Sequence, residues 1–267
     1  MTRDIARDNI DSYVGAQARK EWTADGDLYP VEVEIIERHF PHPPSRVLDM
    51  GCGAGRTTIG LEQRGFEVEA LDLSEDLVDE ARKRLQHTRV HLMDARELEF
   101  ADASFDAVLF SFNGLDCVYP SIERRRVLEE VHRVLRPGGI FYYSGHNLIA
   151  AWTPRPDDSP SRLFRRNKEL LLAQRRPFRE RARYLAYPDT SGSQILYSAL
   201  PHIHLRELRD VRLEPVAVYG SRSYRRGPHF LDVGAVPHGV SLAFIAHLAK
   251  LAMTCPHMHY VAQKSRT

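Results

Sequence analysis

The segment VLDMGCGAG, Val47 to Gly55, constrains this chain more than any other. An apolar run with a single carboxylate passes directly into a turn carrying Gly51, Gly53 and Gly55, and a helical stretch, Arg56–Arg64, follows. Glycine admits positive φ and lets backbone N–H groups approach a ligand closely, so this order predicts a crevice at the strand's carboxyl end. The spacing also selects among ligands. A dinucleotide turn has the form G-x-G-x-x-G, and Arg56 stands where its last glycine would fall; a phosphate loop needs Gly-Lys-Ser/Thr, which does not follow here.

The unit recurs along the first 150 residues. Glu67–Leu71 alternates as a strand, Ser74 precedes a helix over Leu77–Leu85, and Arg89–Met93 is a third strand. Ala107–Phe110 is an uninterrupted apolar run suited to a strand buried on both faces, Ile122–Leu135 is helical up to Pro137-Gly-Gly, and Ile140–Ser144 is a fifth strand. Strands alternating with helices imply a parallel, doubly wound sheet with right-handed crossovers. Ahead of it, Val31–Phe40 has helical spacing and stops at Pro-His-Pro-Pro. Behind it, Trp152–Pro160 holds three prolines and Arg162–Arg183 is Arg-rich with an apolar centre, together a cap inserted after the fifth strand. Leu213–Tyr219 and Met258–Gln263 are strands completing the sheet, and the apolar helix Val240–Met253 could supply a homodimer contact. The expected divisions are a helical segment over 1–40 that closes over the ligand, a binding core over 41–150, the cap over 151–208 and the completion of the sheet over 209–267.

With 37 basic and 36 acidic residues the chain is near neutral, which argues against nucleic acid as a partner. The charged start MTRDIARDNIDSY lacks a signal-peptide core and no apolar run is long enough to span a bilayer, so no membrane partner and a cytoplasmic location are expected. Cys52, Cys117 and Cys255 are too dispersed for a disulfide framework or a CxxC site. The pairs His202/His204 and His257/His259 would share one strand face, but no carboxylate or cysteine cluster accompanies them, and no metal is expected.

Asp49, Asp72 and Asp94 lie at three successive strands, so they should line one edge of the sheet. There Asp72 can accept hydrogen bonds from ribose hydroxyls and Asp94 lies where an adenine would sit. At this point VLDMGCGAG, EALDLS, VHLMDARELEFADASFDAVLF and EEVHRVLRPGGIFYYS together resemble class I S-adenosylmethionine-dependent methyltransferases over about residues 45–146. The resemblance implies a Rossmann-like, seven-stranded, mostly parallel α/β sheet with an antiparallel last strand and helices on both faces. It implies S-adenosylmethionine as cofactor, with Asp49 and Gly51 flanking the methionine moiety, Cys52, Gly53 and Gly55 also at the cofactor, Asp72 on the ribose, and Leu73, Asp94 and Ala95 at the adenine. Ser111 and Asn113 would stand beside the methyl-donor end, and Tyr13 resembles N-terminal aromatics that close over the cofactor. The Asn/Asp-Pro-Pro-Tyr motif of amino-methylating DNA enzymes is replaced here by Ser-Phe-Asn-Gly-Leu-Asp.

The implied reaction is methyl transfer to a hydroxyl or amine of a small aromatic or amphipathic metabolite. His146, just past the fifth strand, is the first choice for a general base and Asp116 the second, ahead of Tyr143, His202 and His204. Trp152, Phe164, Phe178, Tyr184, Tyr187 and Tyr197 of the cap could shape the acceptor pocket. The alternatives are an RNA methyltransferase using the Arg-rich cap, and a cofactor-binding subunit without catalysis.

Overall fold

The computed structural model describes residues 27–149, 184–188, 193–221, 230–235 and 255–266, together with Asn9, Asp11, Ser159, Pro160, Ser161, Phe164, Lys168, Leu248 and Lys250. The first helix, α1 (Pro30–His39), has proline at its first turn, where a missing N–H costs no helical bond. Its apolar face of Val31, Ile35 and Ile36 is buried. There follow β1 (Arg46–Met50), α2 (Arg56–Glu62), β2 (Glu67–Asp72), α3 (Glu75–Arg84), β3 (Arg89–Leu92) and β4 (Phe105–Phe110). A 3-10 turn at Gly114–Cys117 leads to α4 (Ser121–Val134) and β5 (Leu135–Asn147). Next come β6 (Tyr184–Pro188), β7 (Ser193–Ala199), α5 (Pro201–Asp210), β8 (Leu213–Ser221), β9 (Phe230–Ala235) and β10 (His257–Lys264).

The sheet order is β3-β2-β1-β4-β5-β10-β8-β9. Strands β1 to β5 are mutually parallel, and the last strand, β10, lies antiparallel between β5 and β8. Alternate residues of the central strands feed two apolar layers. Leu48, Met50, Val108, Phe141 and Tyr143 face one, while Val47, Ala107, Leu109 and Tyr142 face the other beside Ile35 and Ile36 of α1. Burial on both faces explains the uninterrupted apolar runs. From β1 the chain winds outward through β2 and β3 on one side, and β4 and β5 lie on the other. The switch point of this doubly wound sheet, where such folds bind ligands, is therefore at the carboxyl ends of β1 and β4.

The α/β class, the parallel core and the antiparallel last strand are as expected, but among the described residues the sheet has ten strands rather than seven. The additions are β9 on the outer edge of β8 and the antiparallel hairpin β6–β7, whose second strand pairs in parallel with the end of β5 at His146 and Asn147. His202 and His204 do not share a strand face. They lie on α5, where two residues turn the helix by about 200°, and His204 is buried while His202 is exposed. Strand β5 also runs well beyond Ile140–Ser144 at both ends. Tyr13, Trp152, the Arg-rich stretch apart from Phe164 and Lys168, and Val240–Met253 apart from Leu248 and Lys250 lie outside the described residues. Phe164 is 71% exposed, whereas Tyr184 and Tyr197 pack edge to face inside the hairpin at 5.2 Å. Among the described residues no helix is long and apolar enough to cross a membrane.

Candidate active site

A cavity of about 240 Å³ opens at the switch point. Its floor is the glycine turn. Gly51 has φ +63°, and a Cβ there would meet the Phe110 ring at 2.6 Å, so both conformation and space demand glycine. Gly53 also has positive φ, but a Cβ there would meet nothing within 4 Å, because this residue faces the open cavity. Gly55 caps α2 in the left-handed conformation at φ +87°.

The three carboxylates behave differently. Asp49 is buried behind the turn, accepts the hydroxyls of Thr57 and Thr58 at 2.6 and 2.7 Å, and is pushed by burial up to about 6 against the pull of those hydroxyls and of Arg56. Asp72 lines the cavity and accepts the N–H groups of Gly53 at 2.8 Å and Ser74 at 2.9 Å; burial raises its pKa despite these bonds. Asp94 also lines the cavity. Burial would raise its pKa, but the Arg96 guanidinium, bonded to both carboxylate oxygens at 2.5–3.0 Å, holds it below the usual range.

Helix α1 closes one wall. Glu32, fully buried, accepts two bonds from the Arg56 guanidinium at 2.7 and 2.8 Å and one from the N–H of Tyr29 at 2.6 Å. The Ser111 hydroxyl donates to the same carboxylate. Arg56 in turn lies 4.0 Å above the Tyr29 ring, and Tyr29 packs on Phe112. The opposite wall carries Asn9, whose amide donates to the carbonyls of Cys117 at 2.9 Å and Ile195 at 2.8 Å and accepts the Ile195 N–H at 3.0 Å.

One turn behind the wall formed by Gly114 and Cys117 lies a carboxylate–imidazole pair. Asp116, fully buried, accepts the His146 backbone N–H at 2.5 Å and lies 2.9 Å from His146 Nδ1. The far ring nitrogen, Nε2, is 3.4 Å from the Asn113 amide nitrogen, which is equally far from His257 Nδ1. With the proton on Nδ1 facing the carboxylate, Nε2 is the acceptor of this imidazole.

Of the residues singled out from the sequence, Gly51, Cys52, Gly53, Asp72, Leu73, Asp94, Ala95 and Ser111 line the cavity. Asp49, Gly55, Asn113, Asp116 and His146 stand behind its walls, and Tyr13 lies outside the described residues. Sequence reasoning passed over Asn9, Tyr29, Glu32, Arg56, Thr57 and Arg96. Arg56 and Arg96 could have been noticed from their places beside the glycine turn and Asp94, whereas nothing local marks Asn9 or Glu32. Among the described residues no group of three or more His, Cys, Asp or Glu could hold a metal ion.

The chain is similar to methyltransferases of known sequence and structure. Residues 47–139 match the family described as a methyltransferase domain. The demethylmenaquinone methyltransferase of Clavibacter sepedonicus is 42% identical over 102 residues, which are 37% of this chain and 40% of that protein. The chain spans about half the length, or less, of the curated relatives it matches. Among solved structures, a SAM-dependent methyltransferase of Methanosarcina mazei superposes with a TM-score of 0.64 at 20% identity, covering 90% of this chain and 100% of that one. The Burkholderia thailandensis 1,6-didemethyltoxoflavin-N1-methyltransferase, solved with bound 1,6-didemethyltoxoflavin and S-adenosylhomocysteine, gives 0.56 at 20% identity and covers 97% and 87%.

Proposed function

We infer, from the match of residues 47–139 to a methyltransferase domain, that the cavity binds S-adenosylmethionine and directs its methyl group to a small aromatic or amphipathic acceptor. One observation carries the reading: the open Gly53 turn, the Asp72 carboxylate and the Asp94 carboxylate, from three successive βα units, line a single cavity. The residues present fit an adenosyl group. Leu73 keeps 43% of its surface exposed in the cavity wall, an apolar side chain placed to cover a flat ring, and Leu77, Met93 and Ala95 stand beside it.

S-adenosylmethionine supplies an already activated methyl group, so the protein must chiefly align the acceptor with it. Alignment contributes roughly 7–11 kcal/mol, whereas a general base contributes about 3–5 kcal/mol. In this reading Asp72 accepts ribose hydroxyls and Asp94 an adenine amine, while the Arg56 guanidinium, held by Glu32, faces the end of the cavity beside Tyr29. Tyr29, Phe112, Val118 and Tyr119 give the remaining wall an aromatic character suited to a planar acceptor. His146 stands behind the cavity wall, so in this reading it takes the proton of an acceptor hydroxyl or ammonium on Nε2 through one bridging water, and Asp116 keeps the other nitrogen protonated. Residues 41–150 then supply the cofactor site and 151–208 the acceptor cap.

Incubation with methyl-labelled S-adenosylmethionine and a panel of aromatic hydroxyl and amine acceptors tests this. Label should pass to a small acceptor with the wild-type chain and be lost with Asp72→Ala. Transfer that is indifferent to Asp72→Ala contradicts the reading.

A further inference from the structure

Behind the Asp116–His146 pair lies a buried ionic network centred on Arg124 of α4, whose side chain is 1% exposed. Its Nη1 donates to the carbonyl of Leu115 at 2.9 Å and to Asp116 Oδ1 at 3.0 Å. Its Nε donates to Glu207 Oε2 of α5 at 3.2 Å, and Nη2 lies 3.1 Å from His204 Nδ1. The guanidinium plane also lies 4.2 Å above the ring of Tyr197 on β7, whose hydroxyl donates to the other oxygen of Glu207. One guanidinium therefore touches the 3-10 turn, α5 and the inserted hairpin.

The two oxygens of Asp116 divide their work. Oδ1 accepts from Arg124, and Oδ2 accepts from the His146 backbone and faces its Nδ1. Removing one partner of a buried ion pair leaves an uncompensated charge, and it is the guanidinium that fixes the orientation of the Asp116 carboxylate against His146. An ionised carboxylate can only accept, and therefore selects the Nδ1–H tautomer of a neutral imidazole.

We propose that Arg124 is a positioning residue: it locks Asp116 so that His146 presents Nε2 as proton acceptor, and through Glu207 and Tyr197 it ties that tautomer to the seating of β7 and α5. The proposal rests on the role given above to His146. Lysine cannot substitute, because a single ammonium lacks the planar fork that serves Leu115, Asp116 and Glu207 at once.

The test uses the full chain labelled with 15N at histidine, with long-range 1H–15N correlation spectra recorded where the imidazole is neutral. His146 should show the Nδ1–H pattern in the wild type and lose it to a mixture of tautomers in Arg124→Lys; retention of the wild-type pattern overturns the proposal. Should Arg124→Lys fail to give a dispersed spectrum, Tyr197→Phe decides. A shift of the His146 ring nitrogens in that variant supports the coupling, and unchanged ring nitrogens overturn it. Calorimetric titration of the same proteins with S-adenosylhomocysteine separates the two readings, since Arg124 does not line the cavity and its substitution should leave that affinity unchanged. Failure of the wild type to bind would count against the cofactor reading instead.

Discussion

At the scale of single residues, the site is built from groups whose burial alone would be unfavourable. Asp49 has 1% of its surface exposed, and burial raises its carboxyl from 3.8 to about 6. A carboxyl raised in the folded state binds its proton more tightly there than in the unfolded chain. Its stabilising contribution is complete below the unfolded value and is lost as pH rises through about 6. Replacing it by the neutral, still hydrogen-bonding amide removes that dependence. Urea unfolding of Asp49→Asn should therefore improve relative to the wild type between about pH 4 and about pH 7, by something on the order of 3 kcal/mol. A difference that does not change with pH would refute the assigned cause. Asp49, expected beside the methionine moiety, stands behind the cavity wall and anchors Thr57 and Thr58 at the start of α2.

At the scale of elements, what was legible in the sequence is what short-range pattern controls. The strands β1 to β5 follow from apolar runs and from alternation, and the places of Asp72 and Asp94 follow from topology, because parallel strands bring their carboxyl ends to one edge. What was not legible depends on partners far along the chain. Glu32 is explained by Arg56 and Ser111, and Arg124 by Glu207, at separations of 24, 79 and 83 residues. Helix α5 was missed because His-x-His suggested a strand face, while its burial of His204, Leu205 and Leu208 follows helical spacing. The hairpin β6–β7 has its own long-range tie in Asn9, which makes three hydrogen bonds linking the Cys117 turn to β7. Loss of three largely buried bonds at about 1 kcal/mol each should free the hairpin locally without unfolding the sheet. In Asn9→Ala, amide exchange in β7 should accelerate while that in β1 and β4 stays as in the wild type; unchanged protection of the Ile195 amide would dismiss the tie.

At the scale of the whole molecule, an extended parallel sheet places a glycine turn, two cavity-lining carboxylates and an apolar wall at its switch point. Its added hairpin and α5 reach the imidazole pair through a buried guanidinium. The central claim is that this edge is shaped for an adenosyl sulfonium. Calorimetric titration with S-adenosylhomocysteine, on the wild type and on Asp72→Ala, tests it most directly. Saturable one-to-one binding, weakened by about 1–3 kcal/mol when the carboxylate is removed, is the predicted result. No binding to the wild type, or an affinity untouched by Asp72→Ala, would contradict it.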